Sequence, residues 1–69
     1  MTQEFLVPKT VDIQLVERWI VDQYGDERRF YLHTGWGGMR WAIWRNRDGY
    51  EVHLPDLDDR ATLFALTWL

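Results

Sequence analysis

Apolar and polar positions alternate with a period of two through much of residues 29–54, the spacing that turns one side of a β-strand to a core and the other to solvent. Residues 29–34 read as a strand with Phe30 and Leu32 on one side and Arg29, Tyr31 and His33 on the other. Residues 39–45 read as the next, with Met39, Trp41 and Ile43 opposed to Arg40, Ala42 and Trp44. Residues 50–54 repeat the pattern, Tyr50, Val52 and Leu54 against Glu51 and His53, and Pro55 closes them. Asn46-Arg47-Asp48-Gly49 is a strong hairpin signal, and Gly35-Trp36-Gly37-Gly38 reads as a glycine-rich connection with Trp36 at its tip.

The two ends are less regular. Residues 1–10 read as a lead-in arm, with Pro8 restricting Val7. Residues 11–24 are crowded with β-branched side chains. A helical wheel puts Asp12 and Gln23 in their apolar sector, so the preferred expectation is a strand with a β-bulge near Leu15-Val16. The alternative is a helix over residues 12–24, ended by Gly25. Asp56-Leu57-Asp58-Asp59 puts acids where a helix N-terminus favours them. Residues 60–69 then continue as a helix whose apolar residues lie nearly all round, which predicts deep burial. A fifth strand is the competing reading of that tail.

The expected fold is α+β, a three- or four-stranded antiparallel meander with a C-terminal helix packed on one face, in a single domain over residues 1–69. An all-β small barrel is the alternative. Sixty-nine residues lie near the lower limit for folding without disulfides or metal, and the chain has no cysteine to supply a disulfide or a thiolate zinc site. Its eleven aromatics supply volume instead, more than so small a core can hold. No stretch approaches the ~20 apolar residues of a membrane span, and the polar start does not read as a signal peptide, so the chain is expected in the cytoplasm.

Charge changes the picture. Residues 28–47 hold five arginines, three of the five tryptophans and no acid, while the segments on either side are acidic and bring the net charge to −3. Arginine and tryptophan are enriched at binding hot spots. The candidate partner contacts are Trp36 and Trp44 as anchors, Arg40, Arg45 and Arg47 as bidentate partners of carboxylates, and Tyr31 as a flanking contact. Asp56, Asp58 and Asp59 form an acidic surface able to imitate nucleic-acid phosphates.

Catalytic chemistry is poorly supplied. There is no cysteine or serine nucleophile, and so short a chain leaves little room for a cleft, so no enzymatic activity is expected. The glycine run lacks the Lys-Ser/Thr of a phosphate loop. His33, His53 and Glu51 share side-chain parity but match no metal motif; neither metal nor cofactor is expected. The expected function is that of a small protein-binding module, a stoichiometric regulator or inhibitor of a larger protein or complex. A phage- or mobile-element-encoded inhibitor of a host complex, hence a viral protein, fits the size by analogy. A homodimer is a second outlet for the spare tryptophans, and single-stranded nucleic-acid binding on an arginine/aromatic sheet face is the alternative.

Overall fold

The computed structural model describes residues 2–56 and 58–69. Met1 and Leu57, assigned above to the arm and the acidic turn, lie outside the described residues. Among those described, five strands and two helices run in the order β1 (Thr2–Pro8), α1 (Ile13–Tyr24), β2 (Phe30–Leu32), β3 (Gly35–Gly37), β4 (Ala42–Asn46), β5 (Gly49–Pro55) and α2 (Arg60–Trp68). All pairings are antiparallel and the sheet order is β1-β5-β4-β3-β2, with two free edges. The fold is the expected α+β meander with a C-terminal helix. Its sheet has five strands rather than three or four, a second helix is present, and it does not close into a barrel.

The expected strand at residues 11–24 is a helix, α1. Asp12 is its cap rather than a member of its apolar face: in extended backbone, its side chain accepts the Gln14 N–H at 3.0 Å. Gly25, at φ 60°, ends the helix in the left-handed region, and its N–H donates to the Val21 carbonyl at 2.8 Å. Val16, Ile20 and Tyr24 recur every fourth residue and are buried. Core burial at this spacing outweighs the modest β preference of Val and Ile.

The arm is also ordered. As β1 it pairs with β5 from Thr2↔Pro55 to Pro8↔Gly49, turning Phe5 and Val7 to the core. The glycine-rich connection is itself the short strand β3. Trp36 points to the core and is 4% exposed, so it does not stand at a loop tip. Gly35 and Gly37 point the other way, beneath aromatic rings. A Cβ on Gly35 would lie 2.6 Å from Cε3 of Trp44, and one on Gly37 would lie 2.9 Å from Cζ of Phe30. Only glycine lets both rings lie across the backbone of β3.

This extra strand reverses the phase of β2. Tyr31, Trp36, Ile43, Val52 and Phe5 form one row across the sheet on the core side. Phe30 and Leu32, expected in the core, lie on the opposite face with Trp44. Met39, expected to begin a core-facing strand, sits in an exposed bend before β4. Both helices cover the Trp36 side: the Phe64 ring centroid is 5.1 Å from that of Phe5 and 5.6 Å from that of Trp19. Helix α2 is not deeply buried all round. Ala61 and Phe64 are buried and Trp68 is half-buried, whereas Leu63, Leu66 and Leu69 form an exposed outer ridge.

Candidate protein-binding surfaces

The face of the sheet away from the helices is uncovered among the described residues. Strand register fixes two of its rows: Leu32, Gly35, Trp44, Glu51 and Leu6, then Phe30, Gly37, Ala42, His53 and Glu4. Leu6 is 69% exposed, Leu32 51% and Phe30 36%; Trp44 is half-buried, its ring centroid 6.3 Å from that of Phe30. Phe30, Leu32 and Trp44 thus form an apolar patch, and Glu51 separates it from Leu6 on the edge strand β1. His53 Nε2 lies 2.6 Å from Oε1 of Glu51, and Nδ1 lies 3.7 Å from Oε1 of Glu4. No strand position on this face carries arginine or lysine.

The arginine/aromatic cluster assembles on the other side, at the flank of α1. Tyr31 stacks on Trp36 with centroids 6.2 Å apart and planes at 19°. The Arg45 guanidinium lies 4.8 Å from the Trp36 centroid and 5.6 Å from that of Tyr31; Arg28 lies 5.4 and 5.7 Å away. Glu17, from α1, accepts the Trp36 indole N–H at 2.9 Å and the Arg28 fork at 2.6 and 3.0 Å. That bidentate bond raises the Arg28 pKa further above its ordinary value, with burial opposing the rise. Arg45 donates to the His33 carbonyl and to the Tyr31 hydroxyl, both at 2.9 Å.

The structure therefore divides the candidate contacts. Trp36, Tyr31 and Arg45 meet in this cluster, with Trp36 buried and Tyr31 and Arg45 exposed. Trp44 faces the opposite way. Arg40 and Arg47 flank β4 at its two ends, in the bend before it and the turn after it. Tyr31 and Trp44, expected on one face with Trp36 at its edge, do not form one patch, because the extra strand β3 reverses the phase of β2 and leaves Trp44 opposite both Tyr31 and Trp36.

The acids are likewise dispersed in role. Asp56 accepts from the Gln3 amide at 3.0 Å. Asp58 accepts the Arg60 N–H at 2.9 Å and lies 3.3 Å from Nε of that residue. Asp59 occupies the N-cap position without a side-chain cap bond, contributing its carbonyl to the Leu63 N–H at 2.9 Å. The His33/His53/Glu51 grouping does not form, since His33 lies in the β2–β3 turn, with β3 and β4 between β2 and β5. Glu4 replaces it: the ligand atoms of Glu4, Glu51 and His53 lie within 4.8 Å of one another.

Sequence reasoning missed Glu17, Arg28 and Asp26. Asp26 is 6% exposed and ties the bend before β4, accepting N–H groups from Met39 at 3.1 Å and Arg40 at 2.8 Å. Its carbonyl accepts the Trp41 indole N–H at 2.6 Å. No local pattern marks these residues, because each acts on a segment 11 to 19 positions away. No helix of the described residues is long and apolar enough to cross a membrane. Comparison with protein-family models, with curated proteins and with solved structures finds no match for this chain.

Proposed function

We propose that this protein is a small cytoplasmic, non-catalytic binding module that acts stoichiometrically on a larger protein through the uncovered face of its sheet. The observation that carries this is the apolar patch of Trp44, Leu32 and Phe30, with Leu6 beyond Glu51, drawn from three strands and left uncovered among the described residues. Trp44 is the anchor. Its ring rests on Gly35 and Phe30, so little freedom is lost on binding. Glu51 borders this patch beside Trp44, with Glu4 near it through His53, and the two acids select a partner whose apolar patch is flanked by lysine or arginine. A regulator or inhibitor of a larger complex fits a chain with one such face.

Nucleic acid is the weaker candidate. Bases stacked on Phe30 and Trp44 would bring their phosphates to Glu4 and Glu51, while the arginines that could neutralise them lie on the far side or at the ends of β4. The test compares wild type, a Trp44→Ser/Leu32→Ser variant and a Leu66→Ser control. Partners are co-purified from the source cells, then rebuilt from purified components. Support is a 1:1 complex lost in the double variant and kept in the control. Retention by the double variant, or equal affinity for a labelled single-stranded oligonucleotide at low salt, refutes it.

A further inference from the structure

We propose that the cleft between α1 and the β2–β4 side of the sheet binds a carboxylate, an Asp or Glu side chain of an acidic peptide, on Arg45. This site lies on the opposite side of the sheet from Trp44 and does not depend on the open-face proposal. The cleft encloses about 230 Å³, and its polar lining comes chiefly from Gln14, Glu17, Arg28, Tyr31 and Arg45, over the Trp36 ring.

Three features single out Arg45. Its guanidinium is already fixed, stacked against Trp36 and Tyr31 and bonded to the Tyr31 hydroxyl and the His33 carbonyl. Those bonds use two of its five N–H donors, which leaves donors for an incoming carboxylate at little further entropic cost. No carboxylate lies within ion-pair distance of it among the described residues, whereas Arg28 in the same cleft is bound by Glu17. The cleft thus holds two cations and one anion, and a single negative charge balances it.

Glu17 also sets the class of ligand. A carboxylate adds one charge to a cleft that already contains one. A phosphate adds nearly two and is repelled correspondingly more. The Glu17–Arg28 fork shows the same pairing made within the chain.

The experiment is a side-chain NMR titration of ¹⁵N-labelled protein, following the Arg45 Nε–H and Trp36 Nε1–H signals. The probes are an acetylated, amidated triglutamate peptide, inorganic phosphate, and sodium chloride at matched ionic strength. The expected result is a saturable shift at Arg45 and Trp36 with the peptide, absent at Arg47 and not reproduced by chloride. Arg45→Gln abolishes the saturable Trp36 shift. Tyr31→Phe, which leaves the charge but removes one of the two hydrogen bonds that hold the guanidinium, weakens binding severalfold while the backbone spectrum stays folded. Equal shifts at Arg47, a chloride titration that matches the peptide, or a Trp36 shift that survives Arg45→Gln overturns the site. Saturation by phosphate at lower concentration than by peptide overturns the carboxylate assignment.

Discussion

Asp26→Ala removes the side-chain acceptor that, alone among the described residues, holds the bend before β4. The carboxylate takes two backbone N–H groups, from Met39 and Arg40, while itself only 6% exposed. Hydrogen bonds to a charged acceptor contribute about 1.5–3 kcal/mol each. Met39 and Arg40 are exposed, so water can replace part of that loss, and the variant should lose about 2–4 kcal/mol. A domain of this size has roughly 4–10 kcal/mol in total, so the loss is a large share. Each kcal/mol lowers the melting temperature by about 4–8 °C here, which predicts a fall of about 8–30 °C. Asp26→Asn keeps one acceptor but turns an amide N–H towards a donor, and should fall between Ala and wild type. Urea unfolding followed by tryptophan fluorescence and circular dichroism measures all three. An Ala variant within about 0.5 kcal/mol of wild type would refute the role given to Asp26.

Other substitutions test other parts of the fold. Gly35→Ala puts a methyl group 2.6 Å from Cε3 of Trp44 and against the backbone of β4, and should cost about 1–3 kcal/mol in the same urea assay. Tyr24→Phe removes a buried hydroxyl that has no partner among the described residues and should raise stability by about 1 kcal/mol. Burial, then the charge of Asp58, raises the Tyr24 pKa above its ordinary 10.0, with Arg60 opposing. The tyrosine contribution is therefore full below pH 10 and is lost as pH climbs through the raised value, so alkaline melts of wild type should fall away from those of Tyr24→Phe. Glu17→Ala takes the acceptor from the largely buried Trp36 indole N–H at the floor of the cleft and should cost about 1–3 kcal/mol. Glu17→Gln keeps an acceptor and should recover most of it in a thermal melt, because the exposed Arg28 pair contributes only about 0–1 kcal/mol.

The hairpin at residues 46–49 and helix α2 were legible because their signals are local: turn residues between alternating strands, and acids ahead of an apolar run. Strand phase was not. Alternation sorts the faces within a strand, but the turn between strands sets which faces coincide, and one slip exchanges them all. Taking residues 35–38 as a loop put Phe30 in the core and Tyr31 outside. The Gly35-Trp36-Gly37 alternation was itself the missed period-two signal, hidden because the rings that fill the space above the glycines come from other strands. The partner of β1 is more than forty residues away, so nothing near Phe5 and Val7 announced a strand. For α1, Asp12 and Gly25 marked the ends correctly, and counting the cap as a helical position spoiled the wheel. Among the site residues, Tyr31, Trp36 and Arg45 were legible as types, but their meeting with Glu17 and Arg28 depends on the position of α1 over the sheet.

Contact through the uncovered sheet face is tested most directly by placing a photo-reactive benzophenone side chain at Leu32, and separately at Leu66 on the outer ridge of α2, in the intact protein. Irradiation in the source cells should yield one dominant adduct to a single protein from the Leu32 position and none to it from Leu66, and the same protein, purified, should bind wild type at 1:1. An adduct from Leu66 but not from Leu32, an adduct to nucleic acid, or a cross-link only to a second copy of this chain would contradict it.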